Sequence, residues 1–195
     1  MKSDINRLVD RYGQFEQRVR QRTEQWCRPF CSVCRHVCCR VHFCVETRES
    51  AFLGLVASCF SDRSVFNDSH GWLTATGCSL VAGRPPVCYE FLCRHISDTV
   101  SGDPYRHHAL RVSSQLITHV GKHAIGGRHL VEITQATDLN RVDPERFMNR
   151  FREADKAFDA VVNVLDGRSS DADIQALSRI VRPPRTDDLQ IRRLM

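Results

Sequence analysis

The chain has 195 residues, ten of them cysteine, and a formal net charge of +5 with histidine neutral. That length suits one domain, with or without an appended subdomain, and is enough to bury a real core. No run approaches the roughly eighteen apolar residues of a membrane span. The opening MKSDINRLVDRYGQF lacks the apolar stretch of a secretory signal. The expectation is a cytoplasmic chain with no membrane partner, where thiols stay reduced. So many cysteines there point to metal or redox chemistry rather than to a disulfide framework.

In chain order, residues 4 to 26 predict a helix, because Ile5, Leu8, Val9, Tyr12, Phe15 and Val19 recur at three- and four-residue steps. Ser3 or Asp4 is its expected cap, and Pro29 is expected to break it. Residues 27 to 100 are weakly periodic and punctuated by Gly71, Gly77, Gly83, Pro85 and Pro86, so they read as an irregular cysteine-rich region. Within it, SAFLGLVASCF (50 to 60) is apolar enough for a buried helix or strand, with Cys59 as a small core residue. From residue 101 to 182 the chain turns helical. A helix is expected from about Pro104 to Ala124, while residues 129 to 140 are ambiguous and fit a strand at their start. The clearest helix begins at Asp143-Pro144, carries Phe147, Phe151, Ala154, Phe158, Val161 and Leu165 on one face, and stops at Gly167. A short helix follows from about Asp171 to Val181, and residues 183 to 195 read as a loose tail. The fold class expected is mainly α, with the cysteine-rich metal-binding region packed on a helical C-terminal half.

The positive charge is concentrated. Between residues 11 and 40 stand Arg11, Arg18, Arg20, Arg22, Arg28, Arg35 and Arg40 against Glu16 and Glu24, and seven minus two equals the whole excess. Arginine clusters neutralise phosphates, but few aromatics interleave these arginines, which disfavours stacking on single strands. Compensation of thiolate charge, or a solvated helix face, is the reading preferred over nucleic acid.

Six cysteines fall between Cys27 and Cys44, in CRPFCSVCRHVCCRVHFC, and Cys78, Cys88 and Cys93 answer them. Thiolates are soft ligands, and short Cys-x2-Cys loops let two sulfurs reach one tetrahedral ion. The adjacent Cys38 and Cys39 suggest a bridging role, two metals, or one ligand and a spare thiol. Cys27-x3-Cys31-x2-Cys34 is also the spacing of radical SAM enzymes. There the motif follows a β-strand, whereas here it leaves a helical pattern.

Cys31-Ser-Val-Cys34-Arg-His-Val-Cys38-Cys39, with Gly77-Cys78-Ser-Leu-Val-Ala-Gly83-Arg84-Pro85-Pro86-Val-Cys88-Tyr-Glu-Phe91 downstream, resembles the YkgJ or CxxCxxCC family of bacterial zinc- or iron-chelating proteins. The resemblance covers residues 27 to 93. It implies a metal centre of zinc or iron, and, through relatives that methylate flagellin lysines, iron–sulfur chemistry. It carries over to Cys31, Cys34, Cys38, Cys39, Cys78 and Cys88. Spacing alone adds Cys27, Cys44 and Cys93 as candidate ligands. The chain departs from the family in the three residues between Cys34 and Cys38, and in having His70-Gly71-Trp72 where a further cysteine is expected. His70 is there a candidate nitrogen ligand.

Other motifs are weaker. His119-x3-His123 encloses no glutamate, so metalloprotease chemistry has no base, and it, His107-His108 and His129 read as surface or half-buried histidines. Phosphate-loop patterns are absent. Two further functions compete with metal chelation. One is a zinc-stabilised module docking its Arg-rich helix on an acidic protein or nucleic acid. The other is an iron–sulfur enzyme or accessory protein acting on a peptide or protein.

Overall fold

A computed structural model of the chain describes residues 2–34, 39–61, 65–75 and 77–183. The fold is mainly α. The expected tail from residue 184 onward lies outside the described residues.

Helix α1 (Lys2–Cys31) is longer than its periodicity predicts at both ends. Its stripe is buried as expected, with Leu8, Val9, Tyr12, Phe15 and Val19 in the core. The helix passes through Pro29 rather than breaking there. A proline inside a helix forfeits one N–H bond and crowds the carbonyl four residues back. Pro29 meets that cost within the last turn, and the helix ends two residues later. Cys27 and Cys31 therefore stand four apart on one helix, on one face.

The next stretch is more helical than its weak periodicity suggests. It forms α2 (Val41–Glu49) and α3 (Ala51–Phe60), joined by Ser50, whose hydroxyl accepts from Leu53 N at 3.2 Å and caps α3. Helix α3 is apolar over most of its length, so it shows no clean period, and it buries Phe52, Leu53 and Val56. Cys59, expected in the core, is exposed. The core side of that last turn is taken by Phe60, whose ring lies so close over Gly13 that a Cβ there would meet it at 2.3 Å.

A two-stranded antiparallel hairpin follows, β1 (Leu73–Thr74) with β2 (Gly77–Cys78), pairing Leu73 with Cys78. Two short helices come next, α4 (Val87–Glu90) and α5 (Arg94–Asp98). Helix α6 (Pro104–Gly121) starts on Asp103, and residues 129 to 140, read as a possible strand start, form two 3-10 turns, Leu130–Glu132 and Ala136–Arg141. Helix α7 (Pro144–Leu165) has the expected cap: Asp143 accepts from Glu145 N and Arg146 N, each at 3.0 Å. Helix α8 (Asp171–Ile180) closes the described chain with a capping box from Ser170 and Asp173.

Helices α6 and α7 form the most extensive pair, α8 lies against both, and α1 crosses to α7 through aromatic side chains. Phe15 meets Phe151 edge-on at 5.5 Å and Phe158 at 6.1 Å, and Tyr12 meets Phe52 at 5.3 Å. These rings tie the segment ahead of the cysteines to the helical half. Phe15→Ala removes a fully buried ring at that crossing and is expected to cost about 3–5 kcal/mol, read as a lower urea midpoint with an unchanged slope.

Candidate metal centre

Seven cysteines from three parts of the chain line one cavity of about 550 Å³. Cys27 and Cys31 come from the end of α1, and Cys39 and Cys44 from the approach to α2 and from α2 itself. Cys78 comes from β2, Cys88 from α4, and Cys93 immediately precedes α5. Seven of the nine candidate ligands thus share the cavity. Cys34 is outside its lining, and Cys38 lies outside the described residues. Among the described residues no three His, Cys, Asp or Glu side chains stand close enough to hold one metal ion. The sulfurs share a cavity without forming a finished cage.

One residue, Gly83, gathers the three sources. The N–H of Gly83 donates to the buried carboxylate of Glu16 on α1 at 2.7 Å, and its carbonyl accepts from Thr47 Oγ1 on α2 at 2.7 Å. Its Cα faces α3, where an added Cβ would stand 2.7 Å from Ala57 N and 2.8 Å from the Leu53 carbonyl. Gly83 also has φ +85°, a conformation that side chains disfavour. Only glycine fits on both counts.

Glu16 takes two more donors, Arg84 N at 2.9 Å and the Tyr89 hydroxyl at 2.8 Å. The Arg84 guanidinium turns back to the hairpin, donating to the carbonyls of Leu80 at 3.0 Å and Cys78 at 3.2 Å. Pro85 and Pro86 then lead into α4, where Cys88 N bonds the Pro85 carbonyl at 3.0 Å. The hairpin cysteine and the helix cysteine are thereby held in one short, braced segment.

Cys88 lines the cavity at an exposed position, with protein still crowding much of its surroundings. That burial pushes its thiol up to about 12; the Arg84 charge opposes the shift, and Cys78, Cys39 and Cys44 add to it. Those three sulfurs are thus near enough to be felt electrostatically. Gly71, at φ +63°, lies against Cys44, where a Cβ would come within 2.5 Å of the sulfur. The rest of the wall mixes chemistry: Arg40, His42 and His70 line it with Val41, Phe43 and Val87, and an exposed Phe91 stands at the rim. His70, the candidate nitrogen ligand, is therefore at the cavity. Cys27 and Cys93 also pack on a small apolar cluster of Ile96, Val100 and Leu110, so they have a packing role besides.

Several arginines of α1 are engaged within the chain. Arg18 pairs with Asp155 at 2.6 Å and Asp159 at 3.3 Å on α7, and Arg22 with Asp166 just beyond it. Arg20 bonds Glu24 at 2.6 Å and the Leu80 carbonyl at 3.0 Å. Their charge joins α1 to α7 and to the hairpin end, while Arg40 and Arg84 stand at the thiols. The histidines are more engaged than expected. His108 is buried with Nε2 at 2.8 Å from the Val181 carbonyl, and His119 is buried with Nε2 at 2.8 Å from Glu153.

Sequence reasoning missed Glu16 and Thr47. The available sign was Glu16's place four residues after Tyr12 and three before Val19, a charge inside an apolar stripe. Comparisons with known protein families, curated proteins and solved structures found no match. Among the described residues no helix is long and apolar enough to cross a membrane.

Burial pushes the Glu16 carboxyl from 4.5 up to about 7, against the hydrogen bonds from Gly83, Arg84 and Tyr89 that favour its charge. The folded chain holds this proton more tightly than the unfolded chain. Its contribution to stability is therefore complete below about pH 4.5 and is lost as pH rises through about 7. Each tenfold change in proton affinity is about 1.4 kcal/mol, so the loss is on the order of 3 kcal/mol. Glu16→Gln, which cannot titrate, is expected to flatten that decline in urea unfolding measured across the same pH window. Gly83→Ala combines a left-handed φ with a backbone collision, and about 2–4 kcal/mol of destabilisation is expected from thermal unfolding.

Proposed function

We propose that the chain is a metal-chelating protein whose cysteine-lined cavity takes zinc or iron, an iron–sulfur cluster included. The observation that carries this reading is the convergence on one cavity of seven cysteines spread from Cys27 to Cys93 in sequence. Unrelated core thiols have no reason to meet. The donor set fits a soft cation: Cys39, Cys44, Cys78 and Cys88 lie around the segment braced by Glu16, and Cys27, Cys31 and Cys93 stand on the α1 and α5 side. Four sulfurs close one tetrahedral site, so seven support a polynuclear centre or one with spare thiols. The resemblance of residues 27 to 93 to the YkgJ type supports the same reading. A bound metal would supply a crosslink among the three segments, adding folding free energy where the core is small.

The test is metal and sulfide content with a visible spectrum, on protein purified without oxygen and without added metal. Iron and sulfide with a brown chromophore identify a cluster; colourless protein with stoichiometric zinc identifies a zinc site. Cys78→Ser and Cys88→Ser are each expected to lose metal and lower the thermal midpoint, whereas Cys59→Ser, exposed on α3, keeps both. Full metal content in the first two variants would overturn the proposal.

A further inference from the structure

A second candidate site lies away from the cysteines, in a groove of about 490 Å³ along α7 and the end of α8. We propose that this groove binds a tetrahedral oxyanion, inorganic phosphate or the phosphate of a small phosphomonoester.

Arg146 and Arg150 stand one turn apart on α7, so their guanidinium groups share a face. Arg179 reaches the same groove from the last turn of α8, and buried His119 of α6 forms part of its floor. The carboxylates nearby are mostly committed. Asp143 caps α7 through two backbone amides at 3.0 Å and holds Arg146 only at 3.9 Å. Glu153 is held by His119 at 2.8 Å.

The cations are not committed in the same way. Arg150 Nε is buried with no hydrogen-bond partner among the described residues, a donor removed from water with nothing to replace it. Neither Arg150 nor Arg179 forms an ion pair among the described residues. The groove continues along α7 past Arg152 and Lys156, so its two stretches together carry five cations against Asp143, Glu145 and Glu153. Burial chiefly holds the His119 pKa below its usual value; the Glu153 hydrogen bond opposes this, and the Arg150 charge reinforces it. Guanidinium forks pair bidentately with phosphate oxygens, and three forks arriving from two helices match a tetrahedral anion better than a planar carboxylate.

The experiment is titration of the full-length protein with inorganic phosphate, phenyl phosphate and acetate, followed by amide chemical shifts at constant ionic strength made up with chloride. Saturable phosphate binding is expected, with shifts centred on α7 and α8. Arg179→Ala, a change at an exposed position that leaves the core alone, is expected to weaken it about tenfold or more. Arg150→Lys, which keeps the charge and loses the fork, is expected to weaken it as well. Tighter binding of phenyl phosphate than of phosphate would identify a phosphomonoester as the ligand, and the reverse order the free ion. Non-saturable shifts, equal affinity for acetate, or binding unchanged in both variants would overturn the proposal. Metal content plays no part in the readout, so this site and the cysteine centre stand or fall separately.

Discussion

The backbone of Gly83 is where the cysteine half of the molecule is joined. Its N–H goes to a carboxylate on α1, its carbonyl to a hydroxyl on α2, and its missing side chain lets α3 close over it. Two of those helices and the loop itself carry the cavity's cysteines: α1 brings Cys27 and Cys31, α2 and its approach bring Cys39 and Cys44, and the segment of Gly83 joins Cys78 to Cys88. A buried carboxylate is costly unless its lone pairs are used. Glu16 meets that condition with two amides and a phenol, and this makes the loop geometry specific. A hydrophobic contact at the same place would allow the loop to slide.

The helical half acts as the frame for this arrangement. Phe15 set edge-on against Phe151 and Phe158 holds α1 to α7, and Arg18 and Arg22 reinforce the same crossing with ion pairs to Asp155, Asp159 and Asp166. The basic character of α1 thus has an architectural use, since its arginines face acidic positions of a neighbouring helix. Exposed pairs of this kind contribute little each, so the aromatic crossing carries most of the energy and the charges set its register. At the thiols the compensating charge comes instead from Arg84 and Arg40, one braced on the hairpin carbonyls and one at the cavity wall.

The long helices were legible because their signals are local. The Asp143-Pro144 start, the stripe from Phe147 to Val161 and the stop at Gly167 all act over a few residues, and the structure has them in place. The apolar stripe of α1 was legible for the same reason. Misreadings occurred where neighbours in space outweigh neighbours in sequence. Pro29 did not end α1 before Cys31. The weakly patterned stretch from residue 41 to 49 folded into α2, a helix with no clear period of its own, whereas the apolar run from 50 to 60 formed the buried helix α3 that its composition allows. Cys59 was displaced from the core by Phe60, which fits the space over Gly13.

By itself the sequence determined that the chain is mainly helical and where α7 begins and ends. It also determined that its cysteines form two groups, because periodicity, caps and spacing depend on residues within a turn or two of each other. Only the tertiary structure decided that Cys27, Cys31, Cys39, Cys44, Cys78, Cys88 and Cys93 meet at one cavity, that Cys34 stays outside its lining, and that Glu16 and Thr47 hold the segment between. Those outcomes rest on hydrogen bonds spanning 36 and 67 positions. No local pattern encodes such a partner, since either end would look like an ordinary polar residue until the chain brings the other to it.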